Sequence, residues 1–189
     1  NLRDISSASV RISRQAAGLC RDMTQLLPEG ESFQSTLIAA PPGAGKTTLL
    51  REMVAALSNG SEERAPLRVG IVDERGELAG MYRGVPQLDV GFHTDVLDSC
   101  PKTLGIPMLM RSANPQVIAV DEITTAEDLT AVAAAANCGV ALLATIHALD
   151  EEELRQKPLY PVLAASQVFR RLITISVEAG QRRYQVRPL

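Results

Sequence analysis

The run Ala40-Pro41-Pro42-Gly43-Ala44-Gly45-Lys46-Thr47-Thr48 combines small residues, one lysine and two hydroxyls, a set suited to holding an anion. Small residues let successive backbone N–H groups turn inward around a phosphate, and a helix opening at Lys46 points its positive end at the same place. In that arrangement Pro42, Gly43, Ala44, Gly45 and Thr48 form the cradle. Lys46 reaches the β- and γ-phosphates of a nucleoside triphosphate, and the Thr47 hydroxyl ligates Mg2+. The pattern G-x-x-x-x-G-K-[ST] has a glycine where this chain has Ala40, a departure that alanine tolerates if its φ is negative.

Acids stand where such a site needs them. Val117-Ile118-Ala119-Val120 runs into Asp121-Glu122. Asp121 is placed to hold Mg2+, through water, and Glu122 to polarise the water that attacks the γ-phosphate. His147 lies just past another apolar run, Val140–Thr145, where a group sensing the γ-phosphate would face the site. A second acidic pair, Asp73-Glu74, closes the run Leu67–Val72. These two could assist the metal or orient water, Glu74 as a further catalytic candidate, and they could equally pair with Arg75. Arg75, Arg83 and Arg111 are candidates for transition-state charge, although such an arginine often comes from a neighbouring subunit. Arg170, Arg171, Arg182, Arg183 and Arg187 could make a basic edge, with the solvated face of a hairpin as the default reading, and His93 reads as a loop residue.

These residues need elements to carry them. Apolar spacing predicts a helix over about residues 9–27, ended by Pro28-Glu29-Gly30. A strand over about 35–39 leads into the glycine loop, and a helix from Lys46 to Leu57 leaves it. A strand follows at 67–72, then a long stretch from Gly76 to Asp98 with no clean period, read as loop. A helix over 101–112 carries Pro107, which predicts an interruption. A strand at 116–120 precedes Thr124-x-x-Glu127, a capping box opening an alanine-rich helix that Gly139 stops. After the strand at 140–145 come two short helices, beginning near Asp150 and Leu163, and an alternating hairpin over 172–177 and 183–186. Strands alternating with helices predict an α/β fold, a mostly parallel sheet flanked by helices and finished by a β-hairpin. The strand ending at Asp73-Glu74 is expected between the strand that enters the glycine loop and the strand ending at Asp121-Glu122. An inserted strand there is the mark of RecA-like P-loop proteins. The whole chain, residues 1–189, reads as one such domain.

Composition narrows the function classes. The chain has 189 residues, 46% hydrophobic and 22% charged, as a folded domain does. A net charge of −3 provides no basic field for nucleic acid, and 3% aromatics leave few platforms for stacking bases. Cys20, Cys100 and Cys138 are far apart and odd in number, which fits reduced thiols better than disulfides or a zinc site. No apolar run approaches the ~20 residues that span a bilayer, and the start does not resemble a signal peptide. The opening Asn1-Leu2-Arg3-Asp4 reads as the middle of a pattern, as in a fragment lacking an upstream domain.

Several segments carry a more specific likeness. Val69-Gly70-Ile71-Val72-Asp73-Glu74-Arg75, Asp89-Val90-Gly91, Thr94-Asp95-Val96-Leu97-Asp98, Cys100-Pro101-Lys102 and Asp121-Glu122-Ile123 resemble the stage III AA family of sporulation proteins. Arg111, Asn114-Pro115-Gln116-Val117-Ile118 and Ala144-Thr145-Ile146-His147 are similar to the wider set of type II and type IV secretion ATPases. The resemblance implies a mother-cell ATPase, peripheral to the membrane, that uses ATP and Mg2+ to power or assemble a channel between mother cell and forespore. It implies a homo-oligomer, a hexameric ring with nucleotide between subunits, working with membrane-embedded channel proteins and without nucleic acid. It also puts Asp73-Glu74 at the family's Asp box and His147 at its His box. Two rival readings remain at this stage: a nucleotide-gated scaffold that binds ATP and rarely cleaves it, and a DNA-dependent RecA-like motor.

Overall fold

A computed structural model describes Ser7, Leu26, Leu27 and residues 32–178 and 181–189. The helix expected over 9–27 lies outside the described residues apart from Leu26 and Leu27, as does the tip of the hairpin at 179–180.

Strand β1 (Thr36–Ala40) enters the glycine loop and helix α1 (Lys46–Asn59) leaves it. Strands β2 (Val69–Asp73) and β3 (Thr94–Asp98), helix α2 (Lys102–Ser112), strand β4 (Val117–Val120) and helix α3 (Ala126–Asn137) follow. Strand β5 (Ala141–His147), the short helices α4 (Glu151–Gln156) and α5 (Tyr160–Ser166), and the hairpin β6 (Arg171–Glu178) and β7 (Gln181–Pro188) complete the order. Among the described residues the strands form one sheet in the order β3-β2-β4-β5-β1-β6-β7. Every neighbouring pair is parallel except β6 with β7.

The two-residue period of a strand explains why the central strands are apolar throughout. In β1, Ile38 and Ala40 point into a core shared with Leu49, Leu50, Met53 and Leu57 of α1. Leu37 and Ala39 point into the opposite core, built on Ile106 and Leu109 of α2 and Leu129 and Val132 of α3. With both faces covered, a strand can bury all of its residues, as β1, β2 and β4 do.

Several details differ from the sequence pattern. β5, the strand ending at His147, lies between β1 and β4, and β2 lies beyond β4, so the inserted strand is not the one ending at Asp73-Glu74. His147 is therefore the last residue of a strand, paired with Ala40, and not a residue beyond it. Residues 94–98 within the apparent loop form β3, an edge strand whose partly exposed Thr-Asp-Val-Leu-Asp lacks the apolar run of its neighbours. α2 stays continuous through Pro107, because the carbonyl that proline frees belongs to exposed Thr103, where water can satisfy it. The capping box sits one residue later than expected, on Thr125 and Asp128. α5 starts earlier than expected, and the hairpin forms as the alternation predicts.

Candidate active site

The carboxyl ends of β1, β4 and β5 converge on one open cleft, which the loop after β2 completes. In the 41–45 loop, Gly43 and Gly45 adopt φ of 77° and 103°, values that side chains avoid, so two of the small residues are required by backbone geometry. Ala40 has no such need. It is a buried residue of β1 and is not among the positive-φ residues, which is why alanine replaces the usual glycine without strain. Ala44, expected in the cradle, is buried in the core and does not line the cleft, whereas Pro42, Gly43, Gly45, Thr47 and Thr48 do.

Lys46 closes the loop on itself. Its Nζ donates to Ala40 O at 2.8 Å and to Pro41 O at 3.0 Å, and it lies 2.8 Å from His147 Nδ1. Burial holds its ammonium below the ordinary lysine range, against the opposing pull of Asp121 and Glu122. Because a lysine only donates, His147 accepts at Nδ1 and carries its proton on Nε2, and that N–H lies 2.8 Å from Glu122 Oε1. The other oxygen of Glu122 pairs with Arg75 Nη1. Glu122 itself has φ 55°, an uncommon conformation for a residue with a side chain and one that concentrates at functional sites.

Asp121 faces the hydroxyls. Thr47 Oγ1 donates to its Oδ2 at 2.9 Å and Thr145 Oγ1 to its Oδ1 at 2.5 Å, while Thr145 Oγ1 also accepts from Glu122 N at 2.7 Å. Thr47 Oγ1 and the Asp121 carboxylate are hard oxygens of the kind Mg2+ prefers, so Thr47 would hold the ion directly and Asp121 through water. Among the described residues there is no group of three or more His, Cys, Asp or Glu that could hold a metal. An ion here would need phosphate oxygens and water to complete its shell, as Mg2+ commonly does.

The acidic pair at the end of β2 behaves differently from the chemistry its position suggested. Asp73 is buried and accepts from the backbone N–H groups of Glu77, Leu78 and Ala79 at 2.9, 3.0 and 2.9 Å. Arg51 of α1 holds the same turn from its carbonyl side, donating to Leu78 O and Glu77 O at 2.6 and 2.7 Å. Glu74 points away from the cleft and pairs with buried Lys102 at 2.5 Å. Neither acid pairs with Arg75, which is bound to Glu122, and neither lines the cleft. Asp73 shapes the turn that carries Arg75 and Glu77 to the cleft wall, and Glu74 ties the end of β2 to α2. Of the other arginines, Arg83 lies over the Tyr82 ring, 5.3 Å from its centre, and Arg111 ends α2, both away from the cleft. Two groups of the site have no role that the sequence assigns. Thr145 is one hydroxyl in an apolar strand, and Arg182 reaches the loop from the hairpin, donating from Nε to Ala44 O at 2.9 Å.

A glycine loop between β1 and α1, acids at the end of β4 and a strand inserted between β1 and β4 define a RecA-like P-loop protein. Solved structures share the fold. The ATPase DotB of Legionella pneumophila matches with a TM-score of 0.62 at 19% identity, over 84% of this chain and 46% of that one. The VirB11 ATPase of the Brucella suis type IV secretion system matches with a TM-score of 0.59 at 18% identity, over 89% of this chain and 50% of that one. The chain belongs to the sporulation stage III, protein AA family, whose profile matches residues 1–186. Stage III sporulation protein AA of Bacillus subtilis is 40% identical over 179 residues, which are 95% of this chain and 58% of that relative. The chain thus spans 58% of the length of that relative and about half of each of the two solved ATPases.

Proposed function

We propose that this protein hydrolyses ATP with Mg2+ and uses the cycle to drive or assemble a secretion-type channel between mother cell and forespore. The observation that carries the reading is the continuous network from Lys46 through His147 to Glu122, with Asp121 and Thr47 beside it. The loop amides and Lys46 would bind the β- and γ-phosphates, Lys46 exchanging its bonds to Ala40 O and Pro41 O for phosphate oxygens. Thr47 and Asp121 would hold Mg2+, which neutralises charge on the phosphate oxygens. Glu122, fixed by His147 Nε2–H, would accept a proton from water as that water's oxygen bonds to the γ-phosphorus, releasing inorganic phosphate and ADP.

Family membership supports the sporulation setting, and the fold shared with the ATPases DotB and VirB11 supports the activity. A peripheral place beside membrane-embedded channel partners is part of the proposal; among the described residues no helix is long and apolar enough to cross a membrane. A homo-oligomer is part of the proposal: the cleft is open, and Arg83 and Arg111 stand free of it to serve a neighbouring subunit's site. The cellular test is replacement of the chromosomal copy by Glu122→Gln. Arrest of sporulation at the stage where a null allele arrests is expected, and normal spores would remove hydrolysis from the account.

A further inference from the structure

We infer that Arg182 is a nucleotide-binding residue that takes the nucleoside end of the triphosphate, donating to the α-phosphate from within the same chain. This rests on the nucleotide reading of the cleft. β1 is flanked by β5 on one side and β6 on the other, so the glycine loop has two unlike flanks. Asp121, Glu122 and His147 occupy the β4–β5 flank, where the γ-phosphate must lie for hydrolysis. A triphosphate threaded through the loop from there leaves it, α-phosphate last, on the β6–β7 flank.

The hairpin is built to meet it. Pairing of β1 with β6 ends at Ala39 and Thr174, so β6 from Ile175 onward, with its β7 partners, continues past the end of β1 and stands beside the loop. Arg182, opposite Val177, projects from that overhang. Its Nε is held by Ala44 O, and a Cβ on Gly45 would stand 2.9 Å from Nε and 3.5 Å from Nη2. The guanidinium therefore lies against the loop itself. One of its five N–H donors is used there, which fixes the plane and leaves the terminal nitrogens for an anion. Among the described residues no carboxylate pairs with Arg182, unlike Arg75, Arg155 and Arg187, each bound to a glutamate. It shares the cleft with Lys46 and Thr48.

An α-phosphate contact is present in ATP, ADP and the transition state alike, so it strengthens binding without changing the chemical step. The experiment measures dissociation constants for ADP, and for ATP in a Glu122→Gln background, in the parent protein, Arg182→Ala, Arg182→Lys and Arg183→Ala. Arg183 is on the opposite face of the strand and controls for hairpin damage. Arg182→Ala should weaken ADP and ATP by the same factor, about tenfold or more for one charge-assisted hydrogen bond. Arg182→Lys should fall between, and Arg183→Ala should match the parent. In the hydrolytic background kcat at saturating ATP should stay within about threefold while KM rises. Unchanged ADP affinity in Arg182→Ala, or loss of kcat with KM kept, would overturn the assignment. A purely structural staple would lower the melting temperature and leave both nucleotide affinities in the parent range. Parent protein that binds neither nucleotide would overturn the reading of the cleft itself, an outcome separate from the other two.

Discussion

Glu122 and His147 share a hydrogen bond of 2.8 Å whose direction is set by a third residue: Lys46 occupies Nδ1 of the ring, so only Nε2–H is left to point at Glu122 Oε1. In the proposed mechanism a base oriented in this way would face the γ-phosphate position before substrate arrives. Removing the ring in His147→Ala should lower kcat by about 10- to 100-fold, with KM changed by less than about threefold. His147→Gln should recover much of that loss, since an amide can accept from Lys46 and donate to Glu122 with atoms spaced much as in the ring. Steady-state phosphate release at varied ATP separates the two parameters.

The Thr47–Asp121 pair makes a metal-specific forecast. In the parent protein, ATP should bind more tightly with Mg2+ than with EDTA. In Thr47→Ala and in Asp121→Asn that metal-dependent gain should shrink to about threefold or less, because each change removes one of the two groups that would hold the ion, Thr47 directly and Asp121 through water. Titration of ATP with and without Mg2+, in Glu122→Gln to prevent turnover, reads the effect directly.

Asp73 should matter to stability more than to chemistry. Its carboxylate satisfies three backbone N–H groups from a buried position, and truncation leaves them without an acceptor. Asp73→Ala should cost about 3 kcal/mol or more, seen as a melting temperature about 6–12 °C lower for a chain of this size. Glu74→Ala, which unpairs Lys102, should leave kcat within about threefold, since Glu74 does not line the cleft. Thermal melts of both variants, with phosphate release for Glu74→Ala, check these values.

Ala40→Gly restores the usual first glycine and should bring no gain. Ala40 is a strand residue with both faces covered, so glycine would cost about 0.5–1 kcal/mol of stability through backbone entropy. ATP affinity should stay within about twofold of the parent, measured in the same titration.

The site was legible in the sequence to an uneven degree, and the reasons are physical. Lys46, Thr47 and Asp121-Glu122 follow from local patterns, because a phosphate cradle and a strand-end acid are each encoded within a few residues. The glycines of the loop and the alternation of the hairpin are local in the same sense. Strand order is not, since the apolar runs of β2 and β5 are alike and only side-chain packing across the sheet decides which lies beside β1. Asp73 misled for a related reason. An acid at a strand end can bind a metal or cap a turn, and the three amides that claim it lie four to six residues on, without a distinctive pattern. Arg182 was invisible because its partner, Ala44, is 138 positions away and offers only a carbonyl. β3 escaped because an edge strand needs no continuous apolar run.

The most direct test of the central claim is phosphate release from ATP with Mg2+ by the parent protein and by Glu122→Gln, over a range of protein concentrations, with nucleotide affinity measured on the same samples. Parent turnover should rise more steeply than linearly with protein concentration as subunits assemble. Glu122→Gln should keep its ATP affinity and lose turnover by about 10²- to 10⁴-fold, the range for removal of a general base. Tight ATP binding with no phosphate release by the parent at any concentration, or equal release by the two proteins, would contradict the account.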